Sequence, residues 1–160
     1  MSEQYSTYVK EQYQYVKGSR NVLFEYCKTI SPEDFINQNT SFGRGGSMRN
    51  LLVHIANTYE YWIANLALKK NLKYAEYEDN LTIQYVILLF DSVDLFMEEF
   101  ILEMDLSDRE IVYEIQGNKN LASPLKFFSH VITHEYHHKG QILSISRHLG
   151  YIPVDTDIMR

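Results

Sequence analysis

The sequence predicts an all-α protein, a four-helix bundle, and three observations lead there. Apolar residues recur at helical spacing over four long stretches, at about residues 3–30, 47–69, 81–104 and 123–150. Helix starts are marked by Ser47 and by the Ser-Pro pairs Ser31-Pro32 and Ser123-Pro124, where Ser caps and Pro takes the first helical position. The chain has 160 residues, 45% hydrophobic and 22% charged, which suits one domain over residues 1–160 with a proper core. Four helices of this length in such a chain bury their apolar stripes most simply by packing on one another.

The first helix carries Tyr5, Tyr8, Val9, Tyr13, Val16, Leu23, Phe24, Cys27 and Ile30 at helical spacing. Gly18 sits inside it at a cost of about 1 kcal/mol, so a break or kink is allowed there. Ser31-Pro32-Glu33-Asp34 begins a short turn, and Gly43, Gly45 and Gly46 mark a flexible loop after it. That loop lacks the Lys-Ser/Thr ending of a phosphate-binding P-loop, and no strand precedes it.

The second helix has the apolar arc Met48, Leu51, Leu52, Ile55, Tyr59, Trp62, Ile63 and Leu66, with His54 on its flank near Thr58, Tyr61 and Asn65. On periodicity alone, His54 is a boundary residue open to water. A connection rich in charge and tyrosine, 70–79, leads to a third helix that is apolar nearly all round and so is expected to be buried on more than one side. Residues 105–123 link it to the fourth, with 110–116 briefly extended before a turn at Gly117-Asn118.

The fourth helix contains the stretch 130–141, which holds four of the chain's six histidines. His134 and His138 share an arc with Phe127, Val131, Ile142, Ile145 and Leu149, whereas His137 falls on the most polar strip and should be in water. Imidazoles at i and i+4 on one face are spaced so that two ring nitrogens can converge on one ion. A pair of hydrogen-bonded core histidines fits the same pattern. His130 and His148 lie at the margin of the stripe.

Composition excludes several classes. The net charge of −6, a pI near 5.5 and the lack of a dense Lys/Arg cluster argue against a nucleic-acid surface. The opening residues are polar and no apolar run reaches the roughly 18 residues of a membrane span, so a cytoplasmic protein with neither signal peptide nor membrane helix is expected. Cys27 is the one cysteine, which rules out an intramolecular disulfide, and its apolar neighbours suggest a buried thiol.

The string His134-x-x-x-His138-Lys139-Gly140-Gln141, with Ser47-Met48-Arg49-Asn50-Leu51-Leu52-Val53-His54, Trp62 and the closing Leu149-Gly150-Tyr151-Ile152-Pro153, resembles the DinB/YfiT-like superfamily of metalloenzymes. The resemblance implies a four-helix bundle, commonly a homodimer, in which His54, His134 and His138 bind a divalent metal: nickel or zinc first, with iron, cobalt or manganese as alternatives. Lys139 stands where many members have Arg, on what is read here as the exposed side. Some relatives are thiol S-transferases or isomerases that use bacillithiol, mycothiol or similar low-molecular-weight thiols. A small-molecule substrate, and transfer to or from such a thiol, is therefore the leading expectation. A metal-dependent hydrolase and a non-catalytic metal-binding protein with stress-related duties are the alternatives.

His134-Glu135-x-x-His138 also fits the zinc-protease pattern H-E-x-x-H, but the metzincin continuation is absent, with Gln141 and Ser144 where Gly and His would stand. Glu135 points about 100° away from His134, and is either a base, a surface charge or a buried partner for a tyrosine. Gln141, Tyr61 and Glu135 are the candidate catalytic residues. With Thr58, Gln141 and Tyr61 could also orient ligands or substrate by hydrogen bonds. Asp155 and Asp157 belong to a C-terminal tail that is either solvated or reaches the site's rim. Finally, a second apolar arc on the fourth helix, Leu125, Phe128, Ile132 and Leu143, joins the third helix in pointing to a homodimer interface.

Overall fold

The computed structural model describes residues 3–40, 46–106 and 109–160, and for 3–6 and 105–106 the backbone alone. Tyr5 falls among the latter, and Gly43 and Gly45 lie outside the described residues. The described chain is mainly α-helical. Helix α1 spans Glu3–Cys27, α2 Pro32–Phe35, α3 Met48–Tyr59, α4 Ile83–Leu106 and α5 Pro124–His148. A π-helical segment, Glu60–Ala67, continues α3, and strands β1 (Ile111–Ile115) and β2 (Asn118–Ala122) form an antiparallel pair.

The cap residues act as the sequence suggests. The side chains of Ser31, Ser47 and Ser123 accept from the backbone N–H groups of Asp34, Asn50 and Lys126, three residues on. At the far end of α5, Gly150 takes φ of 94°, and its N–H and that of Tyr151 donate to the carbonyls of Arg147 and Ser146, which closes the helix. Helix α1 runs through Gly18 unbroken and stops at Cys27, a turn earlier than its apolar pattern, which goes on to a buried Ile30. The link before α5 is more ordered than expected. Gln116 and Gly117, both at positive φ, join β1 to β2 in a tight hairpin, and such a pair of residues matches the twist of the strands they connect.

Helix α1 packs on α4 and α5, and α3 packs on the same two. Their shared interior includes Val16, Leu51, Leu52, Ile55, Val86, Met97, Val131, Ile142 and Ile145, all essentially solvent-free. Each such side chain contributes about 1.5–3 kcal/mol by burial, so a charge at Leu51 or Val131 would unfold the protein.

Inside this core lies an ionic network that joins all four long helices. Arg20 of α1 donates through Nε and Nη2 to the two carboxylate oxygens of Glu135 of α5, both at 2.9 Å, and through Nη1 to Asp94 of α4 at 2.8 Å. Tyr59 of α3 donates to Glu135 at 2.6 Å, and Tyr13 of α1 to Asp94 at 2.6 Å. The face of Phe90 covers the guanidinium. Burial, and then the Glu135 carboxylate, hold the Tyr59 hydroxyl well above its ordinary pKa, so it remains a donor.

Two expectations about surfaces need correction. Phe128 and Ile132 are buried within the chain and Leu143 packs against the core, so of the second arc on α5 only Leu125 is well exposed. Uncovered apolar surface lies along α4, where Leu88, Leu95 and Leu102 stand at seven-residue spacing with exposures from 56% to 70%, in step with the half-exposed Leu81 just before the helix. Lys139, expected on the exposed side, is buried: its Nζ donates to Ser19 and sits 4.0 Å from the centre of the Tyr136 ring. Burial lowers its pKa to about 8. No helix among the described residues is long and apolar enough to cross a membrane.

Candidate metal centre

Helices α3 and α5 lie side by side, and this contact brings His54 to the pair His134 and His138. The three rings form a nearly equilateral triangle, with centroids 4.9, 4.8 and 4.4 Å apart. Each offers a nitrogen, and these nitrogens all lie within 4.8 Å of one another. His54, left by helical phase at a boundary, is half-buried and completes the cluster.

The donor set suits a divalent ion. The Nε2 atoms of His134 and His138 stand 3.1 Å apart, a separation at which two lone pairs repel unless a proton or a cation lies between them. Gln141 Oε1 accepts from Nδ1 of His138 at 2.6 Å, which fixes the tautomer that leaves Nε2 free to ligate. Nδ1 of His134 is buried and has no hydrogen-bond partner among the described residues. Burial, and then the His138 and His54 rings, lower the pKa of His134 to about 3, so this imidazole stays neutral far below its usual range. Neutral imidazole is the ligating form.

The remaining candidates divide. Gln141 is the orienting residue just described. Thr58 stands 3.5 Å from His134 Nε2, but its O–H is committed to the carbonyl of His54 at 2.9 Å, so it can only accept from the ring. Tyr61 lines the cleft in front of the histidines. Glu135 does not: its carboxylate is turned into the core, held by Arg20 and Tyr59, as a buried partner for a tyrosine would be. Asp155 and Asp157 are exposed and absent from the cleft wall; Asp155 caps the N–H of Asp157, and Arg160 ties this tail to the Gly18 carbonyl of α1. His137 lines the cleft but is exposed, and His148 is exposed with Nδ1 on the Ser144 carbonyl. Neither joins the triangle.

The cleft has a volume of about 900 Å³, and all three histidines of the triangle line it. Much of its outer wall was not evident from periodicity. The connection after the π-helical segment is held by two asparagines that clasp its backbone as a neighbouring strand would: Asn57 bonds both N–H and C=O of Ala75, and Asn65 does the same at Leu72. Thus pinned, Tyr74, Ala75, Glu76 and Tyr77 face the histidines across the opening. The one available signal was the run of tyrosines in a stretch otherwise polar. The π-helical turns, marked by a bond from the Leu68 N–H to the Ile63 carbonyl five residues back, begin one residue before Tyr61 and Trp62; such turns are frequent at functional sites.

A family model described as DinB family matches residues 1–160. No curated protein matches the chain.

Proposed function

We propose, for a chain that belongs to the DinB family, that His54, His134 and His138 bind one divalent metal ion and that the cleft in front of them is the active site of a metal-dependent enzyme. The observation that carries this reading is the convergence of three imidazole nitrogens within 4.8 Å at the floor of an open cleft. Imidazole nitrogen donors favour zinc or nickel, with iron, cobalt and manganese as further candidates. The packing of α1, α3, α4 and α5 on one another supports the four-helix-bundle architecture of the DinB/YfiT-like type.

A divalent ion with three neutral ligands supplies Lewis acidity, lowering the pKa of a water or thiol that takes an open position. The protein's own groups do the rest. Gln141 holds the His138 ring in one orientation and one tautomer. The Arg20–Glu135–Tyr59 network fixes α5 against α1 and α3, and so sets the distance between His54 and the other two histidines. Tyr61 and the Tyr74–Tyr77 stretch narrow access to the histidines and displace water from a bound substrate.

Within this frame we favour thiol S-transfer, with the small thiol activated as its thiolate, over hydrolysis. The lone cysteine does not compete for this role: Cys27 is buried, and burial pushes its thiol up to about 12. A cytoplasmic location and a homodimer complete the proposal, the latter supported by the leucine stripe of α4. Cobalt-substituted protein tests the reaction class. Addition of a small thiol should produce a sulfur-to-metal charge-transfer band. An unchanged spectrum at saturating thiol would transfer support to hydrolysis or to a non-catalytic metal-binding role in stress.

A further inference from the structure

A chain of aromatic rings leads outward from the histidine triangle. The His134 and His130 centroids are 6.2 Å apart, His130 meets Trp62 edge-on at 4.7 Å, Trp62 meets Tyr61 at 5.2 Å, and Tyr61 lies 6.4 Å from Tyr74 at the mouth. Trp62 is backed by Tyr113 and Phe127, each with its ring centre 5.8 Å away. Tyr74 is held by the asparagine clasps on either side of it, at Leu72 and Ala75. The wall is therefore held in place from behind, and Tyr61, Trp62, Tyr74 and Tyr77 give the cleft an aromatic lining.

Charge along the same path has one sign. Glu76 is exposed at the cleft, and no Lys or Arg side chain belongs to the described lining. Arg49, a cation behind this wall, is buried, with Nη1 on the Tyr77 carbonyl and Nε on the Asn50 side chain. A ligand carboxylate beyond the ion would thus meet Glu76 and, among the described lining residues, no Lys or Arg. A planar ring, neutral or positively charged, would stack on the wall, and a positive charge would gain from both the ring faces and Glu76.

We propose that the cleft selects a substrate with a metal-binding head and a planar aromatic body that bears no negative charge. This deepens the metal-enzyme reading and rests on it for the head alone; the body is read from the wall. It also separates this chain from an enzyme built for polyanionic thiols, since the residues needed to pair several carboxylates are not among those described at the cleft.

Trp62 is the chain's single tryptophan, so its fluorescence reports on the wall directly. Zinc-loaded full-length protein should be titrated with benzyl mercaptan, 4-(aminomethyl)benzyl mercaptan, 4-(mercaptomethyl)benzoate and 2-mercaptoethanol. The neutral and aminomethyl ring thiols should bind roughly tenfold tighter than the carboxylate and the ringless thiol. Tyr74→Ala, at an exposed position that tolerates truncation, and Tyr61→Leu should each weaken benzyl mercaptan several-fold more than they weaken 2-mercaptoethanol, and Glu76→Gln should erase the advantage of the aminomethyl group over the neutral ring. Equal or tighter binding of the carboxylate, or ring thiols indifferent to both tyrosine variants, overturns the proposal. If elemental analysis finds no bound metal, benzylammonium and benzoate test the wall without any head: quenching of Trp62 by benzylammonium alone supports the selection, and equal or reversed responses refute it while leaving failure of the metal reading separately identified.

Discussion

Arg20 and Glu135, 115 positions apart in the chain, form an ion pair with two hydrogen bonds in which both side chains are 2% exposed. Glu135 is the residue after His134, so the carboxylate that anchors α5 and the imidazole that faces the cleft are set by one stretch of backbone. A buried pair of this kind stabilises little relative to apolar packing, but its halves cannot be separated cheaply. Glu135→Gln should destabilise the protein by about 3–5 kcal/mol in denaturant unfolding, because Arg20 loses its buried carboxylate partner and keeps only the partly exposed Asp94 as a counter-charge. Metal bound per folded chain should stay near wild type. A variant of unchanged stability that has lost turnover would restore Glu135 as a catalytic base.

Gln141 provides the second test. It accepts from Nδ1 of His138, and loss of such a partner typically lowers metal affinity 10- to 100-fold. Gln141→Leu should do so in a competition titration with a chelator, whereas Gln141→Glu, which keeps an acceptor, should retain most of the affinity. Equal affinity in the leucine variant would show that Gln141 only borders the site.

The dependence on pH follows from His134. Its folded-state pKa, lowered to about 3, lies below its unfolded value near 6.5, so at neutral pH neither state carries the proton. As pH falls below about 6.5 the unfolded chain takes up a proton that the folded ring resists, and stability declines progressively toward pH 3. The loss is at most about 1.4 kcal/mol per pH unit, less after screening because the ring is partly exposed. Bound metal should accordingly survive mild acid, with half-release below pH 6.5 in a dialysis series. Release centred above that value would contradict the neutral, preformed triangle.

Much of this was legible in the sequence because it depends on local chemistry. The three Ser caps, the four long helices and the i, i+4 pair His134 and His138 follow from spacing and propensity, and the structure has them. His54 was harder: helical phase put it at the edge of its stripe, and only a neighbouring helix could decide whether it faced water or other histidines. The same limit applied to Glu135 and Lys139, whose surroundings are built by Arg20, Tyr59 and Ser19 from distant segments. Least legible were the π-helical turns and the wall at Tyr74–Tyr77, since the asparagine clasps that create it leave no periodic pattern.

The exposed leucines of α4 make the assembly testable. Stripes at seven-residue spacing pair well with a second helix of the same kind, and a monomer seldom leaves such a surface open. Light scattering at micromolar concentration should give the mass of a dimer for the wild type and of a monomer for Leu88→Glu with Leu95→Glu, with helicity unchanged because both side chains already face outward. A monomeric wild type would reject the dimer outright.

The central claim is that His54, His134 and His138 together hold one ion, and metal content measures it most directly. Elemental analysis of purified protein should find about one divalent metal per chain in the wild type and in His137→Ala, and strongly reduced metal in His54→Ala, His134→Ala and His138→Ala, each confirmed as folded by circular dichroism. Full occupancy in the folded His134→Ala protein, or a wild type that takes up no metal even when zinc or nickel is supplied, would contradict it.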